Sequence, residues 1–448
     1  APPRDPPGRR PAPRRGPGAV SLPERLRALL RHAQEQLLRQ PSERVISRSV
    51  RLLQCLTPAV GGDGQGAECR GPQSVLSLSL GALRDFCAEG VPDEIPALRA
   101  VVWKLLLGFL PCDVDEWDAV LSTSRAAYAA FAQDLGQWLE SPDAPEAASS
   151  AFQVDDLGEP ITPQKLLVQI IKDVTRTRPE LDFFARRLGT ESGGGSVDVR
   201  RPGPEPAIHV LRPRCHYDAL ARILLIFARL NPGLRYVQGM NEICAPLYYV
   251  FAQDPLNLDE AEADAFACFS LLMAERRDSF IRSLDDTEDG MLGMTKQLSE
   301  LLSRKDREVW SHLEANEVAP VYYAVRWLML MLTQELEMPD VLRVWDCLLS
   351  EGASEAAPPL LHYFCVAMIV QMRAELLAGD FAACTDRLQQ GPPGGLSVDA
   401  SLGLAKRLRA EDLCAAGSAR SKPESSRGGR RRGGQPLGAF VGRAGARA

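Results

Sequence analysis

At 448 residues the chain is long enough for two or three average domains and a sizeable core. Its 25 % charged and 45 % hydrophobic content is ordinary for a soluble globular protein, and a net charge of −6 points away from nucleic acid as a partner. Eleven cysteines are scattered without a CxxC pair and five histidines do not cluster, which predicts reduced thiols, a cytoplasmic setting and no metal site.

Residues 1–20 are mostly proline, arginine and glycine. Such a segment buries too little apolar surface to offset its ordering entropy, so disorder is expected. It has no apolar core of the kind a secretory leader needs. Residues 21–75 read as a helical extension followed by a Gly-rich linker. Leu26, Leu29, Leu30, Leu37 and Leu38 mark an amphipathic helix within Leu22 to Gln40. Its arginines admit peripheral contact with a membrane, but the plainer expectation is a helix packed on the main domain. Gly61-Gly62-Asp63-Gly64 breaks the pattern.

Helical periodicity dominates residues 76–390, and no series of alternating strands with hairpin turns interrupts it. The chain is therefore expected to be all-α. Thr162-Pro163 makes a helix start and Pro179 a stop, with Leu167, Ile170, Ile171 and Val174 on one stripe. Gly189 to Pro213 reads as a long surface loop. In His216 to Leu230, Leu220, Ile223, Leu224 and Phe227 fall at helical spacing, and Asn231-Pro232-Gly233 stops the helix. Phe364 to Met372 is the most apolar run, too short to span a bilayer and expected to be a buried helix. Residues 391–448 read as a Gly/Arg-rich low-complexity tail with a short helix near Leu402 to Leu413. Its arginines lack the interleaved aromatics that bind single-stranded nucleic acid.

Two short stretches carry most of the chemistry. One is Ile170-Ile171-Lys172-Asp173-Val174-Thr175-Arg176; the other is Tyr236-Val237-Gln238-Gly239-Met240-Asn241. If the first helix continues, Arg176 lies opposite the apolar stripe and faces outward, with Asp173 within reach one turn back. Arg178 would project back toward the stripe. Read alone, Asp173 and Arg176 are also an ordinary surface ion pair, and Gln238 an ordinary loop amide. Gly239 lets a second backbone approach, and Tyr236 and Asn241 either fix the loop or touch a partner. Arg99 and Trp103 lie one turn apart on a helix. Trp327 and Trp345 have the size of core residues. Between Asp340 and Asp346 stand two acids and an arginine, better explained by a helix start and an ion pair than by a metal. No GxxxxGK[ST] loop is present, so no nucleotide site of its own is expected. HExxH, GxSxG and kinase signatures are missing too.

IxxDxxR followed by YxQGMN resembles the motif pair of TBC-domain Rab GTPase-activating proteins. The likeness runs from roughly Gly90 to Phe381. Gly90-Val91-Pro92 with Leu98-Arg99 and Trp103 is similar to the family's opening motif. Arg326-Trp327, Gln334-Glu335 and Val344-Trp345-Asp346 resemble its later helices. The chain departs from the family in placing more residues between the Gly-x-Pro turn and Leu98-Arg99. The resemblance implies a TBC domain of two helical subdomains with a groove for a GTP-bound Rab. It implies an arginine finger at Arg176 and a glutamine finger at Gln238, the latter replacing the GTPase's own switch glutamine. It makes Arg99 and Trp103 scaffold. It implies no cofactor of the chain's own, since GTP and Mg²⁺ arrive with the partner. The competing expectation is a catalytically weak scaffold that only binds the Rab. Work on endomembranes and in vesicle trafficking follows from the same resemblance.

Overall fold

The computed structural model describes residues 23–40, 42–57, 77–140, 162–189, 206–280, 290–351, 357–391 and 395–420. Residues 1–20, expected to be disordered, the Gly61-Gly64 break and Arg427 to Arg432 lie outside these residues. Among the described residues there are helices, turns and two isolated bridges, Ser77 with Asp113 and Arg187 with Cys215.

The chain opens with α1 (Glu24–Leu37), α2 (Glu43–Cys55), α3 (Leu80–Cys87) and α4 (Pro96–Leu106). A first group comprises α5 (Trp117–Glu140), α6 (Pro163–Val174), α7 (Pro206–Leu211), α8 (His216–Leu230), α9 (Met240–Phe251) and α10 (Ala261–Glu275). A second comprises α11 (Met291–Lys305), α12 (Arg307–Ala315), α13 (Ala324–Met329), α14 (Met338–Ser350), α15 (Leu360–Gln371), α16 (Arg373–Ala378), α17 (Phe381–Gln390) and α18 (Val398–Arg420).

Each group is built round one helix. In the first it is α8, which touches α5, α6, α7, α9 and α10. The stripe of Leu220, Ile223, Leu224 and Phe227 understates it, for Ala219, Leu225 and Ile226 on its other faces are equally buried. A helix buried on most of its faces belongs at a centre. The second group is built round α15, whose residues Leu360 to Ile369 are all buried and which packs on α11, α13 and α18. The two groups meet through α14, which lies against α3, α4 and α9 on one side and α18 on the other.

Some charges are buried and paired where helices cross. Lys104 on α4 meets Asp264 on α10 at 2.5 Å, and Arg125 on α5 donates to the same carboxylate at 2.8 Å and 2.9 Å. Burial would raise the Asp264 pKa, but these two cations hold it below the usual carboxylate range.

The first extension packs on the main domain, as the plainer expectation had it: Leu26, Leu29, Ala33 and Leu37 of α1 are buried, and α1 packs on α4. Two boundaries differ from expectation. The stretch expected to be one long loop contains α7, and its flanks are pinned by the Arg187–Cys215 bridge. The folded part does not end near 390. Val398, Leu402 and Ala405 of α18 are buried, and Tyr363 on α15 donates to Asp412 at 2.7 Å. The helix near Leu402 was expected, but not its packing, because buried Ser401 and Ala405 carry little apolar signal.

Candidate functional site

Thr162 caps α6, its hydroxyl accepting the Lys165 N–H at 3.2 Å, and Pro163 opens the first turn. Leu167, Ile170 and Val174 are buried as the stripe predicts, while Ile171 is half-buried. The helix nevertheless stops at Val174. Arg176 N–H bonds back to Asp173 O and Thr177 N–H to Val174 O, both at 3.0 Å, tightening the chain into a turn. Pro179 disfavours the right-handed conformation at Arg178, which sits at φ +49°. Arg176 is thus exposed as expected, but on a turn rather than a helix face. Losing the helical phase separates it from Asp173. The Asp173 carboxylate instead accepts the Tyr236 hydroxyl at 2.8 Å. The expected Asp173–Arg176 pair does not form, and the Arg176 side chain has no partner among the described residues.

The glutamine loop follows α8. Asn231 closes that helix, its amide donating to Phe227 O at 2.8 Å. Gly239 then begins α9 at φ +101°. A Cβ there would stand 2.6 Å from Leu330 Cδ2, so the close neighbour is a side chain from the second group, not a second backbone. Gln238 is exposed and its amide also has no partner among the described residues.

Tyr236 and Asn241 are buried and fix the loop. The Tyr236 oxygen also lies 3.1 Å from Asn241 Oδ1, which accepts the Gly239 N–H at 3.1 Å. Asn241 Nδ2 donates to Thr177 Oγ1 at 2.8 Å, and Tyr217 donates to Thr177 O at 2.9 Å. Burial, and then the nearby Asp173, pushes the Tyr236 phenol far up, so it stays protonated and donates. Asp173, Thr177, Tyr236 and Asn241 therefore form one hydrogen-bonded base under two exposed side chains.

Residues that sequence reasoning did not assign complete the site. Arg178 is buried and donates to Leu336 O at 2.7 Å and to Thr333 O. Glu242 is buried beside Asn241 Nδ2 at 3.3 Å. Burial raises its pKa, opposed by Arg178 and the Gln334 amide. The one sequence signal for the role of Arg178 is its phase, which aims it back toward the apolar stripe.

Of the remaining motif residues, Arg99, Trp103, Trp327, Trp345 and Asp346 are buried, while Arg326 is exposed. Asp346 accepts Arg99 Nε at 3.1 Å, Arg99 Nη2 at 3.0 Å, Trp103 Nε1 at 2.8 Å and Val91 N–H at 2.7 Å. Trp103 and Trp345 pack with ring centroids 5.8 Å apart. Arg99 also pairs with Asp93, a residue of the lengthened Gly-x-Pro loop. Trp327 is fully buried, and Arg326 pairs with Glu335 at 2.5 Å. Asp340 stands in the first turn of α14. No group of three or more His, Cys, Asp or Glu side chains among the described residues could hold a metal.

Chemically, the site offers one planar cation and one carboxamide, both unengaged and both rooted on the same rigid base. A guanidinium can bind phosphate oxygens in a bidentate way; a carboxamide can donate and accept at once and so orient a water.

A family model described as the Rab-GTPase-TBC domain matches residues 198–377, a span that includes Gln238 and begins after Arg176. TBC1 domain family member 13 of Mus musculus is 34 % identical over 370 residues, covering 70 % of this chain and 91 % of that protein. The Homo sapiens protein of the same name matches at the same identity and coverage. GTPase-activating protein gyp1 of Schizosaccharomyces pombe is 27 % identical over 331 residues, 70 % of this chain and 54 % of that one. Among solved structures, the Ypt/Rab-GAP domain of Gyp1p superposes with a TM-score of 0.56 at 22 % identity, covering 76 % of this chain and 94 % of that one. That superposition gives the fold alone.

Proposed function

The chain belongs to the TBC-domain family, and from that premise we propose that it stimulates GTP hydrolysis by a Rab-family small GTPase. The observation that carries this reading is the exposed, unpartnered pair Arg176 and Gln238 on one hydrogen-bonded base. Arg176 enters the partner's nucleotide site and offsets charge growing on the phosphate oxygens. Gln238 orients the attacking water and stands in for the partner's switch glutamine. GTP and Mg²⁺ belong to the substrate. Neither side chain forms a covalent bond, which suits a reaction governed by positioning and charge stabilisation.

A pure scaffold would need neither group free. Here the Tyr236 and Asn241 side chains are spent holding the loop, while the two groups useful for catalysis are left open. Prenylated Rab proteins sit on membranes, so the chain's work is assigned to the cytoplasmic face of endomembranes. No helix among the described residues is long and apolar enough to cross a bilayer. The test is phosphate release from a panel of GTP-loaded Rab proteins with catalytic amounts of the full chain. The reading requires multiple-turnover acceleration of at least one; binding without acceleration of any would support the scaffold instead.

A further inference from the structure

The segments bearing Arg176 and Gln238 rest on a shared support. It is the turn from Leu330 to Leu336, between α13 and α14 in the second group. On one side Arg178, two residues after Arg176, reaches into the interior and donates to the carbonyls of Leu336 and Thr333. On the other side Leu330 lies against Gly239, the residue after Gln238: a Cβ there would stand 2.6 Å from Leu330 Cδ2, and Leu330 would have to shift. From below, Trp345 Nε1 donates to Met331 O at 3.1 Å and seats the turn on the core.

The turn is also strained. Met331 and Leu332 sit in succession at φ +51° and +65°, and Arg178 at +49°. Left-handed backbone at bulky residues costs on the order of 1–3 kcal/mol each and persists only where surroundings hold it. Glu242 supplies a buried carboxylate near Arg178.

We propose that Arg178 is a positioning residue: by clamping the Leu330–Leu336 turn, against which Gly239 is also fitted, it sets the separation between Arg176 and Gln238. This rests on the reading of the chain as a Rab activator. The guanidinium fork spans two carbonyls at once, whereas an ammonium is a point charge that holds one well. Loss of the clamp lets the arginine turn drift relative to the glutamine loop. A misplacement of about 1 Å lowers such a reaction about 10²-fold, with little effect on docking.

The experiment measures single-turnover hydrolysis on the best Rab·GTP with wild type, Arg178→Lys, Arg176→Ala and the double variant. Arg178→Lys should lower the maximal rate roughly tenfold or more, with KM for Rab·GTP within about twofold. In the Arg176→Ala background the same change should remove nothing further, because it acts through Arg176. A purely structural arginine would lower the melting temperature and the active fraction while leaving the rate of the folded fraction unchanged. If Arg178→Lys does not fold, Leu330→Ala loosens the same turn from the Gln238 side with the buried charge in place. It should reproduce the loss of maximal rate. Wild-type maximal rate in a folded Arg178→Lys or Leu330→Ala variant overturns the proposal. So does an equal loss with and without Arg176. If the wild type accelerates no Rab, it is the functional reading that fails.

Discussion

Arg176 has an exposed side chain with no hydrogen bond or ion pair to the described residues. Arg176→Ala should therefore change stability by no more than about 0.5 kcal/mol while lowering stimulated hydrolysis by about 10³–10⁵. Circular-dichroism melting beside a phosphate-release assay checks both halves, and retention of half the wild-type rate would remove Arg176 from the reaction. Tyr236→Phe is the opposite kind of change. It takes the hydroxyl from between Asp173 and Asn241 and leaves Asp173 without that donor. Stability should fall by about 1–3 kcal/mol, and the rate should fall several-fold at constant Rab affinity as the two segments uncouple. Undiminished turnover in the folded variant would show that the hydroxyl bridge does not tie them. That Arg176 faces outward was legible in the spacing of its motif. The partner of Asp173 was not, because a local reading pairs a carboxylate with the cation one turn away. Tyr236 is 63 residues on, and only the fold brings it within 2.8 Å.

Helix ends and turns decide where these side chains point. The start of α6 was plain in Thr162-Pro163, since capping is local chemistry. Its end was harder to read: Pro179 disfavours helix only at the residue before it, yet the chain leaves the helix at Val174. Arg178 instead donates to carbonyls in the second group. The α9 start depends on Gly239. Gly239→Ala would put a methyl 2.6 Å from Leu330 Cδ2 at a φ of +101°. The expected result is a fall in turnover and a loss of about 1–3 kcal/mol, of which Leu330→Ala relieves the stability part by removing the crowded methyl groups. Thermal melts and turnover of the single and double variants read this out. Equal effects of Gly239→Ala in the wild-type and the Leu330→Ala backgrounds would deny the close fit.

The whole molecule is two helical groups joined through α14, with charges paired where helices cross. The all-α class and the buried apolar helix near Phe364 were legible from periodicity and length. The closure by α18 was not, because its buried Ala405 and Ser401 carry little apolar signal. Acid should find a weakness in both groups. Burial holds His362 at about 4; burial and then Arg186 hold His216 at about 4. Unfolded, each takes its proton near 6.5. Between those values the unfolded chain binds more protons, so stability falls as pH drops from 6.5 toward 4. Buried His362 contributes a loss of about 2 kcal/mol between pH 7 and 5, and half-buried His216 less. His362→Gln should flatten the melting temperature against pH over that range, and an unchanged slope would exclude His362 as a source. The central claim is that this chain supplies both catalytic groups in trans. It is tested most directly on a Rab whose own switch glutamine has been replaced, by comparing hydrolysis with wild-type chain and with Gln238→Ala. The account predicts that the wild type still accelerates that Rab and that Gln238→Ala does not. Loss of acceleration by the wild type, with full activity on the unaltered Rab, would contradict it.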